Sequence, residues 1–339
     1  MSKLKLFKKL LLYGFALSGL SVIGLMIWQA VMVARDRNAF PAPGTLVQTE
    51  HGTMHMITQG DQGPTVILET GMGHNSLVWN QVINKMSGPT RVVSYDRTGF
   101  GWSEDTGSER DCVTIAEELH AMLTKADIPP PYIMVGHSMG AMHVRVFKEL
   151  YPRDVVGMVL LDPSHEEMME RLPPQFAESF NGLDTIMNVY QIMTRLGIPR
   201  ILGMHQGRLL EDVDKPAYIA LANRNSEIKT MAREIQAMQN NFVQTQGLNH
   251  MGDLPLIVLS AGKHDPSPEF TPEVNSQITA IWRDLHQEIT DLSTRGKQIT
   301  VAQSGHNIHM EDPAAVVAAI EEILEQVRIA SAQANTQNH

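Results

Sequence analysis

The chain has 339 residues, room for one large α/β domain with an insertion or for two smaller domains. Its 43% apolar residues suit a packed core, and a formal charge of −10 argues against nucleic acid as a partner. A single cysteine, Cys112, excludes an intrachain disulfide and reads as a small residue near a helix start.

In chain order, the first element is an apolar helix. Lys3, Lys5, Lys8 and Lys9 precede Leu10–Val33, 24 residues without a charged side chain. At 1.5 Å per residue this run is about 36 Å long, enough for a hydrocarbon core of about 30 Å. Tyr13 and Trp28 lie near its ends, where interfacial aromatics belong. The run exceeds the h-region of a cleaved signal, and no clean A-x-A site follows. Residues 1–38 therefore read as a transmembrane signal anchor. The lysine bias places the N-terminus in the cytoplasm and the domain outside. The alternative, a cleaved signal, would secrete the domain.

After a linker at Asn38–Gly44, the pattern predicts strands at Leu46–Thr49, Thr53–Thr58, Thr65–Glu69, Arg91–Tyr95, Tyr132–Val135, Val156–Leu161, Pro255–Ser260 and Gln298–Ala302. Helices are expected at Ser76–Lys85, Thr114–Ala126, Met139–Tyr151, Pro272–Ile289 and Pro313–Ile329. Strands alternating with helices imply a mostly parallel, doubly wound sheet. About ninety residues between Leu161 and Pro255 carry no strand pattern, too many for a plain loop. They read as a methionine-rich helical cap, 163–251, inserted in a core of 39–162 and 252–330. Its thioethers suit a lid that accepts varied apolar groups. The polar tail, 331–339, is expected to be disordered.

The chemistry starts at Tyr132–Val144, YIMVGHSMGAMHV. A buried strand stops, a serine stands between two glycines, and a helix follows. Gly136, Ser138 and Gly140 fit G-x-S-x-G, the sharp turn that lifts a nucleophile out of a sheet. Side chains at the two glycines would collide with the neighbouring strand or helix.

A serine hydroxyl needs a base, and the base needs a carboxylate to orient it. Fourteen histidines compete for the base. His306 follows the last predicted strand, at the carboxyl edge where open α/β sheets build their sites. It is the choice, with His309 as the runner-up. Asp265, after the strand PLIVLS, is preferred as the acid over Asp162, which follows VGMVLL and could instead start a turn with Pro163. An oxyanion would take the N–H of Met139 and of Met72, the latter in the glycine-containing ETGMG after the first core strand. His74 lies nearby without an assigned role.

GHSMG (Gly136–Gly140), YDRTGFGWSE (Tyr95–Glu104), VLSAGKHD (Val258–Asp265) and SGHNIHMEDP (Ser304–Pro313) together resemble the α/β-hydrolase superfamily, from about Leu46 to Ile329. The resemblance implies the α/β-hydrolase fold, a triad and a cap. Thr98 and Phe100 depart mildly from the usual YDRPGYGWS turn, and Thr70-Gly71 stands where relatives often carry His-Gly. Epoxide hydrolases and haloalkane dehalogenases of this fold use an aspartate nucleophile, which Ser138 argues against. Proline iminopeptidases usually carry a tryptophan where this chain has Met139.

The set of parts predicts a serine carboxylester hydrolase with Ser138, His306 and Asp265 as its triad and a small-molecule acyl substrate, lipid-like esters included. Lactonase, thioesterase, amidase, acyltransferase and cofactor-free perhydrolase chemistry would use the same triad. A membrane-anchored, non-catalytic ligand-binding protein is the alternative from another class. No H-E-x-x-H, clustered Cys/His set or G-x-G-x-x-G after a strand implies a metal or dinucleotide cofactor.

Overall fold

A computed structural model of the chain describes residues 3–86, 88–263 and 270–337. Among these residues the strands are β1 Thr45–Thr49, β2 Gly52–Gln59, β3 Gln62–Glu69, β4 Thr90–Tyr95, β5 Tyr132–His137, β6 Val155–Leu161, β7 Leu256–Ala261 and β8 Gly296–Val301. They form one sheet in the order β1-β2-β4-β3-β5-β6-β7-β8. β1–β2 and β2–β4 pair antiparallel, and every later pair is parallel. Each predicted strand is present.

The strand order reverses at β3. From β3 the chain moves outward to β4, then returns to β5 on the other side. Such a switch point leaves a crevice above the carboxyl ends of the strands. Successive side chains of a strand face opposite sides, so the sheet feeds two cores. Ile67 and Met134 pack on one face with the helices Cys112–Lys125 and Gly140–Leu150. Val66, Leu68, Ile133 and Val135 pack on the other with Trp79, Ile320 and Ile323. In Cys112–Lys125 the buried stripe is Ile115, Leu119, Met122 and Leu123, at helical spacing. Asp111 caps this helix, accepting from the Val113 and Thr114 N–H groups at 3.1 Å, a contribution of about 1 kcal/mol.

Between β6 and β7 the described residues hold six helices and no named strand, the longest being Leu183–Arg195 and Asn225–Thr245. The predicted helix at Ser76–Lys85 is split. A 3-10 turn, Ser76–Trp79, precedes the α-helix Asn80–Lys85, because Asn75 Oδ1 accepts the Leu77 N–H at 3.3 Å and caps the turn. The C-terminal tail also departs from expectation. The last helix runs Pro313–Gln337, since the alanines and glutamines past Ile329 are adequate helix formers.

The N-terminal helix is continuous over Lys3–Ala39, and its most apolar stretch is not buried against the domain. Ser18 and Ser21 donate to the carbonyls of Gly14 and Leu17, at 2.9 and 3.0 Å, so their hydroxyls are satisfied within the helix. By length and composition this one helix can cross a membrane.

Candidate active site

The chain turns sharply at the end of β5. Ser138 has φ of +53°, a left-handed conformation unusual for a residue with a side chain. The turn is held by Ser138 N–H donating to Leu161 O at 2.9 Å, and by Ser138 O accepting from Ala141 and Ser164 at 3.0 and 3.1 Å. A Cβ on Gly136 would lie 2.8 Å from Ala141 Cα, and one on Gly140 would lie 2.4 Å from Thr70 O. Both glycines are therefore required by close backbone approach.

Ser138 Oγ is 3.0 Å from His306 Nε2, and His306 Nδ1 is 2.7 Å from Asp162 Oδ2. The carboxylate can only accept, so Nδ1 carries the proton and Nε2 is left to accept from the serine hydroxyl. Asp162 Oδ1 accepts the Ala261 N–H at 2.8 Å. Burial pushes the Asp162 carboxyl up, but the hydrogen bond and charge of His306 outweigh it and hold it below its ordinary range.

Of the two carboxylates weighed from the sequence, Asp162 thus occupies Nδ1. It stands directly after β6 in a left-handed turn, φ +41°. Asp265 falls in 264–269, outside the described residues. His309 is buried against His137 and Trp79, with ring centroids 4.4 and 4.7 Å away. The imidazole beside the serine is that of His306.

Met72 and Met139 line the same cavity as Ser138, His306 and Asp162, a space of about 320 Å³ whose other walls include Met168, Phe176, Ile278 and Trp282. Among the described residues, neither the Met72 nor the Met139 N–H donates to a protein acceptor. Two free N–H groups beside the Ser138 hydroxyl form an arrangement that can bind a negatively charged oxygen.

His74, His137 and His309 form a cluster behind the site, with one nitrogen of each within 4.8 Å of the others. His137 Nε2 donates to His306 O at 2.9 Å, steadying the loop that carries the base. Burial, then the charge His306 carries when protonated and that of Arg97, push His74 down to about 4. Burial and neighbouring histidines push His137 and His309 well below the ordinary imidazole value. Three neutral imidazoles are a donor set that a borderline divalent cation accepts.

One set of site residues escaped the sequence reading. Arg97, in the YDR of YDRTGFGWSE, is buried against the loop Thr70–Gly73. Its Nη1 donates to Glu69 Oε1 at 2.7 Å and Thr70 O at 2.8 Å, and its Nη2 to Gly71 O at 2.9 Å. Its Nε donates to Glu234 Oε1 at 2.8 Å, and Glu234 Oε2 accepts the Gly73 N–H at 2.9 Å. Carbonyls 70 and 71 and amide 73 are thereby pinned on either side of Met72. Tyr95 and His143 also bond Glu69. Burial pushes Glu69 up, but Arg97 and His143 bring it below the usual carboxylate value. The available signal was an arginine two residues past a buried strand, where a charge needs partners.

Residues 66–319 match the sequence profile of the Alpha/beta hydrolase family. The chain belongs to the alpha/beta hydrolase family. Among similar members, the uncharacterized protein YqjL of Bacillus subtilis is 26% identical over 265 residues, covering 78% of this chain and 85% of its own. An AB hydrolase superfamily protein of Gibberella zeae is 26% identical over 283 residues, covering 78% and 87%. Among solved alpha/beta hydrolase structures, a thermophilic esterase from Thermogutta terrifontis superposes with a TM-score of 0.59 at 19% identity, over 84% of this chain and 99% of its own. The haloalkane dehalogenase DatA from Agrobacterium tumefaciens superposes with a TM-score of 0.64 at 15% identity, over 84% and 97%. At these identities the structural likeness establishes the fold.

Proposed function

We propose that this alpha/beta hydrolase is a serine esterase working through an acyl-enzyme on Ser138. The observation that carries the reading is the relay of Ser138, His306 and Asp162 at 3.0 and 2.7 Å, with Nδ1 protonated and Nε2 free to accept. Ser138 Oγ attacks the ester carbonyl while His306 Nε2 takes its proton. Asp162, and not Asp265, holds the imidazole and offsets the charge it gains. The N–H groups of Met72 and Met139 receive the oxyanion. Collapse of the tetrahedral intermediate expels the alkoxide, which takes the proton from His306. Water, deprotonated by the same imidazole, then releases the acid and restores Ser138.

The fold is shared with an esterase and with a haloalkane dehalogenase. Serine at the nucleophile position favours the esterase. Lactones, thioesters, amides, acyl transfer and perhydrolysis begin with the same acyl-enzyme. The apolar walls of the cavity favour an ester with an apolar acyl or alcohol part. The N-terminal helix would tether the enzyme to a membrane, with the four lysines on the cytoplasmic side and the domain outside.

The test is labelling of the full chain in detergent with a fluorophosphonate, beside Ser138→Ala, followed by a panel of ester, thioester and lactone substrates. Labelling and turnover should both vanish in the variant. Turnover that survives in Ser138→Ala would falsify the mechanism. A folded wild type that binds esters without being labelled would favour a binding protein instead.

A further inference from the structure

The outer turns of the N-terminal helix do not stand clear of the domain; they pack on the cap. Gln29 is buried, its Nε2 donates to Asn223 O at 2.8 Å, and its Oε1 accepts from Arg200 Nε at 3.1 Å. Arg200 Nη2 also reaches Asp36 Oδ2 at 2.6 Å. A Cβ on Gly197 would lie 2.6 Å from the Trp28 ring, so ring and cap backbone touch. Trp28, Gln29 and Asp36 are thus engaged with the cap. The uncharged stretch from Leu11 to Ile27, 17 residues, remains mostly uncovered. It is about 26 Å long, close to the thickness of a hydrocarbon core and within the range of spanning helices. The cap surface beside Trp28 therefore lies at the level where the helix would leave the lipid.

That surface is apolar. Ile186, Val189 and Ile192 recur every three residues on Leu183–Arg195 and are 55, 52 and 57% exposed. Ile201 and Leu202, just past Gly197, are 57 and 65% exposed, and Val213 is 77% exposed. Single exposed apolar side chains need no explanation, but a group of them around the end of an apolar helix marks an interaction face.

A second cavity, of about 470 Å³, lies under this face. Ile186 belongs both to its wall and to the exposed stripe, and Met72 belongs both to it and to the cavity that holds Ser138. Between these ends its walls include Met187, Tyr190, Ile228 and Met231. The space leads from the apolar face to the oxyanion loop.

We propose that this face of the cap lies on the bilayer entered by the chain's own N-terminal helix, and that the second cavity takes the apolar chain of a lipid ester drawn from it. Docking stands on the helix contacts and the exposed side chains; the lipid ester rests on the serine esterase reading. A bilayer, rather than a second copy of the chain, is favoured because the face adjoins the end of a helix long enough to span one.

The test is spin labelling of the full chain in phosphatidylcholine nanodiscs at Phe15→Cys, Leu202→Cys, Val213→Cys and Leu150→Cys. The native Cys112 is buried and does not compete. Leu150 is exposed at the opposite end of the elbow helix from Ser138 and serves as the aqueous reference. Relaxation by oxygen and by a water-soluble nickel chelate should give lipid-like ratios at Phe15, Leu202 and Val213 and a water-like ratio at Leu150. Lipid at Phe15 with water at Leu202 and Val213 overturns docking while the anchor stands. Water at Phe15 overturns both. Dipolar broadening between labels at Leu202 would assign the face to a second copy and overturn the proposal.

Delivery is read separately with the Leu202→Asp/Val213→Asp variant. Its hydrolysis of a long-chain monoacyl ester in vesicles should fall at least about tenfold, the arithmetic of losing roughly 1.4 kcal/mol of productive association. A short soluble ester should be hydrolysed as before. An equal fall on both esters, or on neither, overturns delivery. A wild type inactive on both overturns the esterase reading, and the spin labels still decide docking.

Discussion

Arg97 and Glu234 form a buried ion pair at 2.8 Å that joins the loop after β4 to the helix Asn225–Thr245. Because Glu234 also holds the Gly73 N–H, and Arg97 the carbonyls of Thr70 and Gly71, the pair sets the position of the Met72 N–H. Glu234→Gln keeps the shape but loses the charge and one acceptor. We expect kcat to fall about 100-fold, the effect of a donor displaced by about 1 Å. KM should change little, and fluorophosphonate labelling should persist. Arg97→Met leaves Glu69 and Glu234 buried without their cation and should cost about 3–5 kcal/mol of stability. Wild-type kcat in Glu234→Gln would show that the loop is held by other contacts.

The choice between two carboxylates is directly measurable. Asp162→Asn should lower kcat about 10⁴-fold, because an amide can donate to Nδ1 and favour the wrong tautomer. Asp265→Asn should retain wild-type turnover within a few-fold. The reverse pattern would move the acid role to Asp265.

These two aspartates also mark how far the sequence could be read. Both follow an apolar strand, VGMVLL or PLIVLS, at the same sheet edge. No local pattern says which loop reaches His306, and that distance is a tertiary fact. The pairing of Ser138 with His306 was legible because both are marked locally, by two glycines around a serine and by a histidine after the last strand. The strands were legible because each is a short apolar run bounded by turn residues. The Arg97 network was not, since Glu234 lies 137 positions away, on a helix inserted between β6 and β7, and meets Arg97 only in the tertiary fold. The helical tail was misread by weighing polarity over the helix propensity of alanine and glutamine.

Glu227 gives stability a pH dependence of unusual sign. It is buried, accepts the Gly101 N–H at 2.7 Å, and is pushed up to about 8 by burial and by the negative charge of Asp96. Its ordinary value is 4.5. Between these values the folded state keeps a proton that the unfolded chain releases, so this group's contribution to stability falls as pH rises. The slope is at most about 1.4 kcal/mol per pH unit, and it flattens above about pH 8. Glu227→Gln mimics the protonated acid and should remove this decline. The thermal midpoint of the variant relative to wild type should therefore climb from pH 5 to pH 8 and then level. A constant difference across that range would mean that Glu227 titrates normally.

Gly140 tests whether the elbow and the oxyanion loop act as one unit. A Cβ there would sit 2.4 Å from Thr70 O and 3.0 Å from Glu69 O, and Thr70 O is tied to Arg97. The carbonyl cannot yield without carrying the loop away from Ser138. Gly140→Ala should therefore cost about 1–3 kcal/mol of stability by overpacking. It should also lower kcat about 100-fold by displacing Met72 relative to the serine. Gly247→Ala, where nothing lies within 4 Å of the new methyl, is the matched reference and should retain full activity. Comparing ester turnover with the thermal midpoint separates the two effects. If Gly140→Ala loses stability while a correctly folded fraction turns over at the wild-type rate, the loop can relax independently of the elbow. The oxyanion donor at Met72 would then not depend on this contact.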